Sequence, residues 1–316
     1  STWSPDVVHV THAMKFGVGA IDACGELRVP VVVTLTDFWF LCPRHTLLTW
    51  EEETCDGPSD WRNCLACVRD LHGIKGSRRE ATAVKRRPAR MASALTNVDR
   101  VVVLSRDTCR RFEANGFAVD GFDLVPHGLE PDAIGSPVHG RRPGRTRFAF
   151  IGSLVAFKGA GVVIAALASV PTLDVELVVH GDGPLRDALD RQSAADSRVR
   201  LAGPFPSDEF GDVIRDADYV VVPSLWYENE PLVVKAAMHL GVPVLASRVG
   251  SLADMVDEGV DGWTVPPGDV AAWAAILTKA DSARDDWPRT GRPQPTMDDT
   301  YTHVEAIYRQ VSDCRT

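Results

Sequence analysis

The residues from Pro223 to Val234, Pro-Ser-Leu-Trp-Tyr-Glu-Asn-Glu-Pro-Leu-Val-Val, bring together groups whose order suggests chemistry. Glu228 and Asn229 lie between a strand-like run, Tyr219–Val222, and a helix-like run that opens at Pro231. Proline suits a first helical turn, because the amide it lacks has no intrahelical partner there. An acidic, amide-bearing loop therefore follows the carboxyl end of a strand and precedes a helix N-terminus. Open α/β sheets bind ligands at such ends. The free amides and the helix dipole favour a phosphate there. A carboxylate belongs beside an anion site when it holds something neutral, such as a sugar hydroxyl. Together these features point to a sugar nucleotide.

Two further loops carry related chemistry. Gly152-Ser153-Leu154 ends one strand, and Lys158-Gly159 opens the helix after it. Glycine lets the backbone approach an anion, and Lys158 offers a point charge to a diphosphate. A lysine at a helix start is equally often plain solvated surface. His180-Gly181-Asp182-Gly183-Pro184 ends the next strand. Its glycines, proline and Asp182 can all be explained by the turn alone. All three loops, however, fall at the carboxyl ends of strands in one sheet.

The elements that must position these loops follow from the apolar pattern. In the second half, strands are predicted at 147–151, 175–179, 199–202, 219–222, 243–246 and 263–265, with helices at 159–169, 185–194, 208–215, 232–240, 251–257 and 271–280. Strands separated by helical stretches imply βαβ units and a parallel sheet. The first half shows the same grammar in shorter form. Strands are expected at 7–10, 30–35, 100–104 and 123–125, with helices at 80–95 and 105–115. Ser105 suits an N-cap and Asn115-Gly116 a helix stop. A last helix is expected at 298–311, after a proline-rich stretch from Pro288 to Pro295.

Composition narrows the function classes. The 316 residues suit two domains, and 45% apolar with 24% charged content is ordinary for a globular protein. A net charge of −9 argues against nucleic acid as the main partner. Asp6, His9, His12 and Lys15 interrupt the first twenty residues, so no secretory leader is expected, and no apolar run is long enough to span a bilayer. The default expectation is a cytoplasmic protein.

Four of the seven cysteines, Cys42, Cys55, Cys64 and Cys67, fall in one excursion over 42–67. Cys64-x-x-Cys67 lets two thiolates reach one ion, and two more nearby complete a tetrahedral set, so structural zinc is expected. Unrelated free thiols and an iron–sulfur cluster are the competing readings. Lys75, Arg78, Arg79, Lys85, Arg86, Arg87 and Arg90 crowd a segment whose sole acid is Glu80. That run either makes peripheral contact with anionic lipid or a lipid-diphosphate acceptor through residues 75–90, or is a solvated helix face.

Taken in order, Gly152-Ser153-Leu154 with Lys158-Gly159, Gly181-Asp182-Gly183-Pro184, the 223–231 loop, and Gly241-Val242-Pro243-Val244 with Gly250-Ser251 resemble the donor domain of retaining glycosyltransferases of family 4. Asp6-Val7-Val8-His9, Thr34-Leu35 before Asp37-Phe38-Trp39, and Pro126-His127-Gly128-Leu129 resemble that family's acceptor-side domain and its exit. The resemblance implies a GT-B fold, with two Rossmann-like doubly wound domains facing a cleft. Residues 1–130 would form the acceptor side, 131–146 a linker, 147–290 the donor domain, and 291–316 a helix returning to the first domain. It also implies transfer of a sugar from a nucleotide-sugar donor to an acceptor hydroxyl with retention, in polysaccharide, glycolipid or glycosylated-metabolite synthesis. The acceptor would be sugar- or lipid-linked, and no catalytic metal is expected. With the basic run at 75–90, the inner face of the membrane is one expected place for a cytoplasmic enzyme.

Carried over residue by residue, Lys158 would meet the donor diphosphate. Glu228, the first glutamate of the family's Glu-x7-Glu motif, would hold hydroxyls of the transferred sugar. The amides of Leu232 and Val233, behind Pro231, would cradle the distal phosphate, with Gly152, Ser153, Gly181, Asp182 and Asn229 lining the site. Asp37 and His12 would help on the acceptor side. Three positions depart from the pattern. Ala236 stands where the second, ribose-gripping glutamate belongs, Ser153 where an arginine is usual, and Thr36 where a histidine is frequent. The opening Trp3-Ser4-Pro5-Asp6 resembles the middle of the acceptor domain, so that domain is expected to be incomplete or completed by a protein partner. Ala236 and the short start also support a rival expectation, an inactive nucleotide- or glycan-binding subunit of an active transferase.

Overall fold

The structure is a computed structural model that describes residues 5–58, 60–75, 77–137, 143–287 and 290–313. The chain forms two compact units, Ser1–His127 with Asp298–Thr316, and Gly128–Met297. Of the sequence features named above, Trp3-Ser4, linker residues 138–142 and residues 288–289 lie outside the described residues.

In the first unit, strands Val8–Val10 (β1), Val31–Leu35 (β2), Arg100–Val103 (β3) and Phe122–Leu124 (β4) pair in parallel in the order β1-β2-β3-β4. Helices Gly19–Leu27 (α1), Trp61–His72 (α2), Arg78–Thr96 (α3) and Arg106–Ala114 (α4) connect them. The start of α3 is a capping box, with the Ser77 hydroxyl and Glu80 carboxylate each accepting the other's amide. Ser105 caps α4 by accepting from the Thr108 amide. The helix Met297–Asp313, numbered last in the chain, buries Ile307 and Val311 against Val32, Val102 and Val125.

Helices α1 and α2 were not anticipated from the sequence. Gly19 and Gly25 weaken the helical signal of α1, and α2 is masked by the cysteines and turn residues around it. Asp60 starts α2 by accepting the Arg62 amide, and Gly73 ends it in the left-handed region. Between β2 and α2 the chain is irregular, joined by the antiparallel bridge Leu48–Thr54, and places His45, Leu47 and Glu52 at positive φ.

The second unit holds helix Pro131–Ile134 (α5) and strands Thr146–Ile151 (β5), Val175–His180 (β6), Val199–Gly203 (β7), Tyr219–Val222 (β8), Val244–Ser247 (β9) and Gly262–Val265 (β10). Its remaining helices are Ala160–Ala168 (α6), Arg186–Ser193 (α7), Phe210–Arg215 (α8), Leu232–Leu240 (α9), Leu252–Met255 (α10) and Val270–Ala283 (α11), and Met297–Asp313 is therefore α12. The six strands are all parallel, in the order β10-β9-β8-β5-β6-β7. This is a doubly wound sheet, and the winding reverses between β5 and β8.

Alternation along the strands fills both faces of that sheet. Phe148, Phe150, Val179, Tyr219 and Val221 pack with Trp273 and Leu277 of α11 on one side. Val220, Val222, Val244 and Ala246 pack with Val234 and Ala237 of α9 on the other. Burial on both faces explains why β8 is a continuous apolar run rather than an alternating one.

Candidate functional site

The switch point brings together the loops after β5 and β8. Lys158 ends a short 3-10 turn after β5, and Glu228 lies in the loop after β8. Lys158 Nζ donates to Glu228 Oε1 at 2.7 Å, and the Ser224 hydroxyl donates to the same oxygen at 2.6 Å. Glu228 is only 4% exposed, whereas Lys158 keeps 26% of its side chain accessible. The Lys158 ammonium also lies 5.0 Å from the centre of the Trp226 ring. A cation and a carboxylate thus meet in one place, each balancing the other.

Backbone bonds stitch four neighbouring loops into one rim. Leu154 N–H donates to the Asp182 carbonyl, Leu225 N–H to Phe157, and Ser251 N–H to Glu228. Gly159 has φ of 74°, and a Cβ there would lie 1.9 Å from the Pro223 carbonyl oxygen. At Gly250, φ 58°, a Cβ would lie 2.7 Å from the Glu228 backbone nitrogen. The rim therefore depends on glycine where backbones touch. Gly159→Ala is expected to cost at least about 2 kcal/mol of stability by chemical denaturation. Wild-type stability in that variant would contradict the close approach.

Beyond Glu228, Pro231 stands at the N-cap of α9 rather than inside its first turn. No side chain caps this end. The first amides, those of Leu232 and Val233, are therefore left without a capping side chain at the positive end of the dipole. Leu232 is 47% exposed and Val233 half-buried. Gly152 and Gly181 are half-buried, Ser153 and Asp182 exposed, and Asn229 half-buried. Asp182 Oδ1 accepts the Gly183 amide, so it serves its own turn.

Sequence reasoning missed three features of this loop. Ser224 braces Glu228, and its position four residues earlier at the strand end was the available signal. Lys235 Nζ donates to Glu230 Oε1 at 2.8 Å, both nearly excluded from water at 2% and 8% exposure. Alternating charge at positions 230 and 235 gives no hint of such burial. Trp226 Nε1 and Ser251 Oγ are buried without hydrogen-bond partners among the described residues. Orphaned polar atoms of this kind call for a ligand or solvent to satisfy them. Ala236, in place of the second glutamate, is fully buried.

In the first unit, His12 Nε2 lies 2.9 Å from Asp37 Oδ2 in the loops after β1 and β2. Asp37 Oδ1 accepts the Trp39 amide, which fixes the carboxylate. His9 is differently placed. Its ring bonds Tyr308 Oη at 2.6 Å and Thr34 Oγ1 at 2.7 Å, and burial lowers its pKa, so its role is to join α12 to β1 and β2.

The zinc expectation is not supported. Cys42, Cys55, Cys64 and Cys67 line one cavity of about 60 Å³. Yet among the described residues no three His, Cys, Asp or Glu side chains are grouped to hold a metal. Burial raises the Cys42 and Cys67 thiols and pushes Cys64 up to about 11, so this arrangement favours neutral thiols. Cys55 Sγ donates to the Gly57 carbonyl at 3.4 Å. No helix among the described residues is long and apolar enough to cross a membrane.

Two parallel α/β units, the second doubly wound around a cation, a carboxylate and an open helix end, define a GT-B-like protein. Solved GT-B structures are similar across 98% of this chain. They include Anabaena HepE in complex with UDP (18% identity, TM-score 0.65, 76% of that chain) and sucrose-phosphate synthase from Thermosynechococcus elongatus (20%, TM-score 0.63, 72% of that chain). The family model for Glycosyltransferase Family 4 matches residues 1–133, and that for Glycosyl transferases group 1 matches 145–280. The chain belongs to the family-4 glycosyltransferases. A D-inositol 3-phosphate glycosyltransferase of Corynebacterium diphtheriae is 31% identical over 241 residues, 67% of this chain and 54% of the relative. The enzyme of the same name from Corynebacterium efficiens is 35% identical over 155 residues, 46% of this chain and 35% of the relative. The amylovoran biosynthesis glycosyltransferase AmsK of Erwinia amylovora is 24% identical, over 66% of this chain and 54% of the relative. The chain thus spans about a third to a little over half the length of these curated relatives.

Proposed function

We propose that this chain transfers a sugar from a nucleotide-sugar donor to an acceptor hydroxyl with retention of configuration. The observation that carries the reading is the meeting of Lys158 and Glu228 at the switch point of the second sheet, ahead of the uncapped start of α9. On donor binding, Lys158 turns its ammonium to the diphosphate, and the amides of Leu232 and Val233 take the distal phosphate. Glu228, released from Lys158 but still held by Ser224, accepts from hydroxyls of the sugar. Complexes of the similar Anabaena protein with UDP and with UDP-glucose support a uridine donor.

The bond from the anomeric carbon to the phosphate oxygen breaks, and a bond to the acceptor oxygen forms on the same face. The acceptor proton passes to the departing phosphate oxygen. Charge developing on that phosphate is stabilised by Lys158 and the helix end, which supply fixed electrostatics where charge grows. In the first unit, Asp37 and His12 are the groups assigned to the acceptor hydroxyl. Amylovoran and D-inositol 3-phosphate, named for relatives, set the range of acceptors to screen.

A panel of nucleotide sugars screened by thermal shift, followed by NMR of the product anomer, tests this reading. Stabilisation by a uridine donor and a product of retained anomeric configuration are expected. Donor binding with no transfer to any acceptor, unchanged in Glu228→Ala, would show a binding subunit instead.

A further inference from the structure

We infer that a cavity in the first unit seats an anionic amphiphile, one molecule with a phosphate-bearing head and an unbranched apolar chain, as the acceptor of the transfer proposed above. The inference rests on that reading for the word acceptor, but not for binding. The cavity is about 630 Å³, within the roughly 300–1,000 Å³ of small-molecule sites. Met14, Trp39, Val68, Leu71, Val84 and Met91 give it apolar walls, and Arg86, Arg87 and Arg90 line it as well. A second cavity of about 510 Å³ adjoins it through Arg86, and is lined by Arg78, Arg79, Thr82 and Ala83. No carboxylate lines either cavity among the described residues. In a chain of net charge −9, that is a selective concentration of positive charge.

The arginines divide by task. Arg87 donates to the carbonyls of Trp39, Phe40 and Leu41 and stacks over the Trp39 ring, so it builds the wall. Arg90 is paired with Asp22. Arg86 is exposed and makes no hydrogen bond or ion pair among the described residues. Arg78 and Arg79 occupy the first turn of α3, where the helix dipole disfavours cations, so helix stability does not account for them. An anionic head between Arg79 and Arg86 does.

An apolar concave wall is wasted on a sugar phosphate, and a bilayer surface does not need a concave one. A chain attached to an anionic head uses both halves. Met14 and Trp39 each follow by two residues a member of the His12–Asp37 pair, so the cavity adjoins the loops proposed to handle the acceptor hydroxyl.

Octyl, decyl and dodecyl phosphate, below their micellar concentrations, are titrated into the full chain, with inorganic phosphate and phosphatidylglycerol vesicles as separate arms. Binding at one site per chain is expected, tightening roughly two- to fourfold per methylene. Arg86→Glu and Leu71→Asp, both at exposed positions, are each expected to weaken it about tenfold or more while leaving UDP-induced thermal stabilisation unchanged. Equal binding of inorganic phosphate and dodecyl phosphate, no dependence on chain length, or binding to vesicles alone would overturn the inference. Loss of UDP stabilisation in the unmodified chain would instead strike the donor reading, and amphiphile binding would stand.

Discussion

Replacing Glu228 by glutamine is expected to lower sugar transfer about a hundredfold or more while the protein stays folded. The amide keeps the shape of the side chain and can still accept from Ser224, which lies 2.6 Å from Oε1. It loses the negative charge that balances Lys158 and strengthens hydrogen bonds from sugar hydroxyls. Groups aimed at a transition state in a buried site contribute on the order of 10²- to 10³-fold each. Glu228→Ala should do more damage to the fold, because the buried Ser224 hydroxyl would lose its acceptor, at about 1–3 kcal/mol. Single-turnover transfer and a melting curve separate the two effects. A glutamine variant that turns over at the wild-type rate would remove Glu228 from the reaction.

The second large effect concerns stability rather than rate. Lys235 and Glu230 form an ion pair at the start of α9 that water scarcely reaches. Breaking such a pair by truncating one partner leaves a buried charge, at about 3–5 kcal/mol. At roughly 2–4 °C per kcal/mol for a unit of this size, Lys235→Ala should lower the melting temperature by about 10 °C. The double replacement Glu230→Leu with Lys235→Met is expected to recover most of that loss, since well-packed apolar substitutes for a buried pair are often neutral. Equal destabilisation by the single and the double variant would mean that the pair is not what holds the loop.

The residues alone disclose the loop that carries Glu228 but not the burial of Lys235. Strand β8 and helix α9 were legible to the residue, because an apolar run, Pro231 and Gly241 mark their limits without competition. The rim of loops was legible for the same reason, as strand ends in a parallel sheet have one side on which to gather. What stayed hidden depends on distance in space. Ser224 and the burial of Lys235 follow from packing of α9 against the sheet, and no local pattern records that. Helix α2 was obscured by turn residues on both sides, and its cysteines suggested a metal cluster that the described residues do not assemble. The basic run was seen as a line of charge. Only the fold shows that Arg86 joins two cavities, one of them walled by methionine, tryptophan and leucine.

The central claim is that Lys158 and Glu228 exchange each other for a donor. Calorimetric titration of UDP-glucose into the wild-type chain and into Lys158→Ala tests it most directly. Binding at one site per chain is expected, weakened about 10- to 100-fold in the variant, the loss that a charge-assisted hydrogen bond to phosphate carries. Equal affinity in the two proteins would contradict it.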